Sequence, residues 1–171
     1  MSADTLTALA TRVGAKLKAQ GLMLATAESC TGGWVAQAVT AIAGSSDWFE
    51  RGFVTYSDAA KQEMLGVSAG TVAKHGAVSE ETAREMAAGA LAHSRAQVAV
   101  AITGIAGPGG GSPQKPVGTV CFAWSQRNAV PVAQTRQFKG DRESVRRQSV
   151  LAALQGVLER LEAVADLPKR P

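Results

Sequence analysis

The amino-acid sequence predicts an α/β domain in which helices layer against a largely parallel sheet, and three observations predict it. Short apolar runs of strand length alternate with segments of helical period along the chain. One of these runs, Val98–Thr103, has no polar alternation, which is the pattern of a strand covered on both faces. The 171 residues, 46% hydrophobic and 19% charged, contain no linker and no internal repeat, which suits one domain, 1–171, with its own core.

The elements follow in order. Leu6, Leu9, Val13 and Leu17 recur at helical spacing, so 4–20 reads as an amphipathic helix closed by Gly21. Leu22–Ala27 is a short apolar run and reads as a strand. Trp34–Ala43 is rich in Ala and Val and reads as a helix, stopped by Gly44–Ser45–Ser46. Phe53–Tyr56 is the next strand. Ser57 offers an N-cap and Asp58 an acidic first turn for a helix to about Leu65. Ser79–Glu80–Glu81 opens an alanine-rich helix that runs to about Ser94, before Val98–Thr103. After the loop 104–116, Val117–Trp124 and Val130–Phe138 form an antiparallel pair across a short polar connection. Asp141 caps a last long helix with Leu151, Leu154, Leu158 and Leu161 on one stripe.

Composition narrows the function classes. No apolar run reaches the ~18 residues of a membrane span, and the start "MSADTLTALA" lacks a signal pattern, so a cytoplasmic protein is expected. Two cysteines make no disulfide framework, and Cys121, in a strand run, reads as a buried small hydrophobe. The net charge of +4 is clustered at Arg142, Arg146 and Arg147 and at Lys169 and Arg170. Such a cluster suits a phosphorylated small molecule as well as nucleic acid. No aromatic residues interleave with the basic ones, so a base-stacking platform is missing and nucleic acid is disfavoured.

Four stretches carry candidate chemistry. In "ESCTGG", Ser29 and Cys30 stand where a strand ends, before Thr31, Gly32 and Gly33. One reading is a turn that caps a helix; the other is a nucleophile at a helix N-terminus, where exposed N–H groups stabilise an oxyanion. It is not a Gly-x-Ser-x-Gly elbow, because residue 27 is Ala and residue 31 is Thr. His75 and His93 sit in polar contexts that suit surface residues better than a base. Lys61, in the first turns of its helix, faces the unfavourable dipole end, and partial burial there would favour the neutral amine a base needs. Tyr56 is close enough in sequence to share its cavity. The glycine loop that begins at Gly104 is neither a P-loop nor a dinucleotide fingerprint, since Ser112–Pro113 stand where Lys or Gly would be required. A strand ending in Thr103–Gly104 and opening into it suits a ligand site or a plain surface loop. In "GDRESVRRQS", Arg142 and Arg146 share a helix face: either they meet an anion, or Asp141 and Glu143 balance them in solvent.

In this order, "ATAESCTGGWVAQAVTAIAGSSDWFERGFVTYSDAAKQEMLGV", "HGAVSEETAREMAAGA", "AITGIAGPGGG" and "KPVGTV" resemble the C-terminal domain of the competence-damage-inducible CinA proteins, over about residues 5–163. The resemblance implies a three-layer α/β/α fold with a mixed sheet and a dimer. It also implies nicotinamide-nucleotide amidohydrolase (NMN deamidase) chemistry in pyridine nucleotide salvage, with no cofactor and no metal site. The activity of the metal-dependent pyrophosphatase domain of the larger CinA proteins is not expected here. On matching positions, Ser29, Lys61 and Tyr56 are the catalytic residues. The resemblance implies Thr103 and Arg142 as substrate-binding residues and nicotinamide mononucleotide as the substrate. The backbone N–H groups of Cys30, Thr31, Gly32 and Gly33 are the expected oxyanion donors, and Gly104 with its loop is expected to line the nucleotide pocket. The alternative expectation is a protein that binds a nucleotide, or a competence-related partner, without turning it over.

Overall fold

In the computed structural model, which describes residues 3–165, the chain begins with helix α1 (Ala3–Gln20), whose Leu9, Val13 and Leu17 are buried. Gly21 ends it at φ 66°. Strand β1 (Leu24–Glu28) follows, buried along its whole length. Next come α2 (Trp34–Thr40), a single 3-10 turn (Ser45–Asp47) and β2 (Phe49–Val54). Three helices then run in succession: α3 (Asp58–Leu65), α4 (Ala69–His75) and α5 (Glu80–Ala92). The chain closes with β3 (Val98–Gly104), β4 (Thr119–Gln126), β5 (Val132–Gln137) and α6 (Arg142–Ala165).

The strands form one mixed sheet in the order β2-β1-β3-β4-β5. β1 pairs in parallel with β2 and β3, and β3–β4 and β4–β5 are antiparallel. Side-chain size alternates across β3: Val98, Val100 and Ile102 face a core built with α1, α2 and α6, while Ala99 and Ala101 face α5. The small residues let α5, itself alanine-rich, lie close on the second face, which completes a three-layer α/β/α arrangement.

Apart from element ends that move by one to three residues, two expectations change. β2 lies at Phe49–Val54 rather than 53–56, because its register against β1 pairs Phe49 with Leu24 and Val54 with Glu28. It is a half-exposed edge strand whose Glu50 and Arg51 reach solvent, so its polar first half carries no apolar signal. Tyr56 therefore falls beyond the strand. Helix α4 is unforeseen: seven residues with Gly70, Thr71 and Val72 give no period, and the Ser68 hydroxyl, accepting from the Gly70 N–H, marks its start.

Candidate active site

The site forms at the carboxyl ends of β1, β2 and β3, where chain directions diverge: β1 leads outward to β2, and β3 leads the other way to β4. Ser29 is the first residue after β1 and is held there by its N–H, which donates to the Ile102 carbonyl at 2.9 Å. Helix α3 brings Lys61. Ser57 caps that helix as the sequence indicates, its hydroxyl accepting from the Ala60 N–H at 3.0 Å, and this starts the helix one turn before Lys61.

Lys61 Nζ donates to Ser29 Oγ at 2.9 Å, and to the carbonyls of Thr55 and Tyr56 at 3.1 and 3.2 Å. The lysine is 1% exposed and Ser29 6%. Burial pulls the Lys61 amine below its ordinary range, against the opposing pull of Asp58. The same burial pushes the Cys30 thiol up to about 12, so at neutral pH Cys30 is a packed thiol while Ser29 holds the base.

A cavity of about 350 Å³ opens on this pair. Ser29, Cys30, Tyr56, Lys61, Thr103, Gly104 and Arg142, all singled out in the sequence, border it together with Asp58 and the glycine loop. Thr103 is buried and its hydroxyl donates to the Ala77 carbonyl at 2.8 Å. Gly104 is required by close approach: a Cβ there would lie 2.8 Å from Val120 Cγ2 and 3.1 Å from Cys30 Sγ. Arg142 spans the mouth, donating to the Gly107 carbonyl at 2.7 Å and to the Tyr56 hydroxyl at 3.3 Å.

Thr31, Gly32 and Gly33 lie off the cavity. The buried Thr31 hydroxyl donates to Glu28 Oε1 at 2.6 Å. Gly32 and Gly33, at φ 60° and 104°, turn the chain into α2, a conformation that suits glycine. Tyr56 also differs from expectation. Its backbone carbonyl touches Lys61 and Ser29, whereas its ring is 63% exposed and its hydroxyl meets Arg142. The displacement of β2 toward the N-terminus accounts for this, since Tyr56 follows the strand and is not packed by it.

Glu28 is the residue that sequence reasoning passed over. Only 1% exposed, it accepts from the Val35 and Ala36 N–H groups at 2.8 and 3.1 Å. The N-terminus of α2, read as an oxyanion site, is thus filled by the chain's own carboxylate. A carboxylate closing an apolar strand just before a helix is the signal that marks it. Of the amides in the turn, that of Gly32 is spent on the Ser29 carbonyl at 3.0 Å. Those of Cys30 and Thr31 have no acceptor in another residue among the described ones, and only Cys30 borders the cavity.

Neither histidine reaches the site: His75 lies 3.8 Å from Glu81, and His93 Nδ1 contacts the Gly89 carbonyl at 2.9 Å. Arg147 and Glu143 make the solvent-facing pair of α6, while Arg142 and Arg146 turn inward. Lys169 and Arg170 lie outside the described residues. Among the described residues, no helix is long and apolar enough to cross a membrane.

Known proteins share this chain's sequence and shape. The nicotinamide-nucleotide amidohydrolase PncC of Escherichia coli K12 is 56% identical over 155 residues, covering 91% of this chain and 94% of that protein. The amidohydrolase of the same name from Pseudomonas putida is 53% identical over 156 residues, covering 91% and 97%. Among solved structures, the competence/damage inducible protein CihA of Agrobacterium tumefaciens superposes with a TM-score of 0.88 at 49% identity, over 92% of this chain and 95% of that one. The family model of the CinA C-terminal domain matches residues 6–161, and the chain belongs to that family.

Proposed function

We propose that the protein is a nicotinamide-nucleotide amidohydrolase, converting nicotinamide mononucleotide and water to nicotinate mononucleotide and ammonia. The observation that carries the reading is the buried contact of Lys61 Nζ with Ser29 Oγ at 2.9 Å. The names of its relatives supply the substrate.

Neutral Lys61 takes the Ser29 hydroxyl proton as Oγ attacks the carboxamide carbon. The N–H of Cys30, a residue that borders the cavity directly after the nucleophile, holds the oxyanion; such a donor is worth ~3 kcal/mol. As the C–N bond breaks, the Lys61 ammonium returns the proton to the departing amine, and ammonia leaves. Water then attacks the acyl-serine, giving one proton to Lys61, which passes it back to Ser29 Oγ. The product leaves as the carboxylic acid and ionises, its proton going to the released ammonia or to solvent. The lysine's three contacts, with one hydroxyl and two carbonyls, keep the amine aimed throughout. The Tyr56 hydroxyl takes no part in this path; with Arg142 it shapes the mouth.

Arg142 keeps guanidinium N–H groups beyond its two contacts and suits the phosphate of the mononucleotide. Arg142→Ala is expected to raise KM by about tenfold or more, with kcat little changed, from the loss of a charge-assisted bond. Unchanged KM in steady-state assays would remove it from the phosphate site. The reading places the enzyme in the cytoplasm as a homodimer. Its first test is ammonia release from nicotinamide mononucleotide by purified protein with EDTA present. Turnover supports it, and mononucleotide binding without ammonia would make the protein a binding module instead.

A further inference from the structure

The turn after Ser29 is held from two sides, and the two sides satisfy different groups. Glu28 takes the donors: the Thr31 hydroxyl and the N–H groups of Val35 and Ala36. Arg146, reaching over from α6, takes the acceptors. Its Nε donates to the Cys30 carbonyl at 3.0 Å and its Nη2 to the Thr31 carbonyl at 3.3 Å. The guanidinium lies over the Trp34 ring, whose centroid is 5.6 Å from its carbon.

These contacts fix peptide planes. In a trans peptide the C=O of one residue and the N–H of the next point in opposite directions, so anchoring either end orients both. The plane between Ser29 and Cys30 is anchored through the Ser29 carbonyl, which accepts from the Gly32 N–H. The plane between Thr31 and Gly32 is anchored at both ends, by that same Gly32 bond and by the Trp34 N–H and Arg146 on the Thr31 carbonyl. The plane between Cys30 and Thr31 is different. Among the described residues its N–H has no acceptor and its carbonyl accepts from Arg146 alone. Arg146 is therefore what fixes the backbone on the far side of Cys30, the residue that borders the cavity directly after Ser29.

We infer that Arg146 is a positioning residue for the oxyanion turn: it pins the Cys30–Thr31 peptide, which nothing else among the described residues anchors, and so keeps the turn from swinging and carrying the Ser29–Cys30 plane, with its Cys30 N–H, out of place beside Ser29. The inference rests on the reading of the site as a serine amidohydrolase. It gives the two inward arginines of α6 separate roles, Arg142 addressing substrate and Arg146 the enzyme's own backbone. A guanidinium is the side chain for the second role, since it is charged at every working pH and offers donors in a fixed fork to two neighbouring carbonyls. Without it, the Cys30 carbonyl loses the one donor it has among the described residues, and the plane is free to turn toward another donor or water.

The test compares wild type with Arg146→Ala and Arg146→Lys. Two quantities are read: kcat and KM for ammonia release from nicotinamide mononucleotide, and the rate at which a fluorophosphonate phosphonylates Ser29. That second reaction also places charge on an oxygen beside the Cys30 N–H, and it needs no nucleotide. Arg146→Ala is expected to lower kcat by about tenfold to a hundredfold, a part of what losing such a donor outright costs, with KM within about threefold. Phosphonylation slows by a similar factor, and Arg146→Lys, with donors on one centre instead of a fork, recovers part of both. If Arg146→Ala fails to fold, Arg146→Gln is read in its place. A rise in KM with kcat unchanged would make Arg146 a substrate anchor and overturn the inference. Equal phosphonylation rates in wild type and variant would overturn it as well. Slower phosphonylation in the variant, with no ammonia from wild type, would sustain the positioning role and sink the amidohydrolase reading instead.

Discussion

Ser29→Ala is expected to reduce ammonia release from nicotinamide mononucleotide by a thousandfold or more, while Cys30→Ala stays within about threefold of wild type. The two residues are neighbours in sequence, and both border the cavity. What separates them is the partner each side chain has. Ser29 Oγ accepts a hydrogen bond from Lys61 Nζ at 2.9 Å, so its proton has a receiver as soon as that amine is neutral. The Cys30 thiol packs in the core beneath the turn and is held up at about 12 by burial, so the nucleophilic thiolate is scarce at any working pH. Its contribution to the reaction is a backbone N–H, and alanine keeps that group. Measured kcat values for the two variants decide the matter: activity in Ser29→Ala with loss in Cys30→Ala would hand the nucleophile's role to the thiol.

The parts of this site that sequence displays are those whose chemistry shows in residue type and local spacing. Ser57 as an N-cap is legible because Ser then Asp before a helical run is a local signal, and it places Lys61 in the first turns. The buried β3 is legible because an uninterrupted apolar run of strand length has few other uses. What stays hidden depends on pairing across the chain. The β2 register is set by β1 and by no pattern of its own. Glu28 looks like the polar end of a strand until α2 folds back and its N–H groups meet the carboxylate. Arg146 reaches carbonyls more than a hundred residues away in sequence, and backbone acceptors leave no mark in side-chain type. The ordering is physical: caps and periods are local, whereas the bonds that aim a catalytic turn are long-range.

Lys61→Met is expected to lower kcat by about a thousandfold and to remove the acid limb of the pH–rate profile, which would identify the amine as the general base. In the wild type the amine accepts a proton only when neutral, so kcat/KM rises with pH through the lowered pKa that burial imposes on Lys61. A limb that survives in the variant would belong to another group. The same shift has a consequence for stability, and its sign is fixed. In the unfolded chain the lysine titrates at its ordinary 10.5, and in the folded protein it titrates lower. Between those two values the unfolded state binds more protons, so the unfolding free energy of wild type increases with pH there. Relative to Lys61→Met, wild type should gain stability as pH rises from the native pKa toward 10.5 and stay level above it. Below the native pKa both states are protonated, and the buried charge costs wild type the most. Denaturant melts of the two proteins across that pH series test this independently of substrate. A difference that does not change with pH would mean that the folded amine keeps its ordinary affinity for a proton. It would then be charged at neutral pH, and a charged amine cannot take the proton of Ser29.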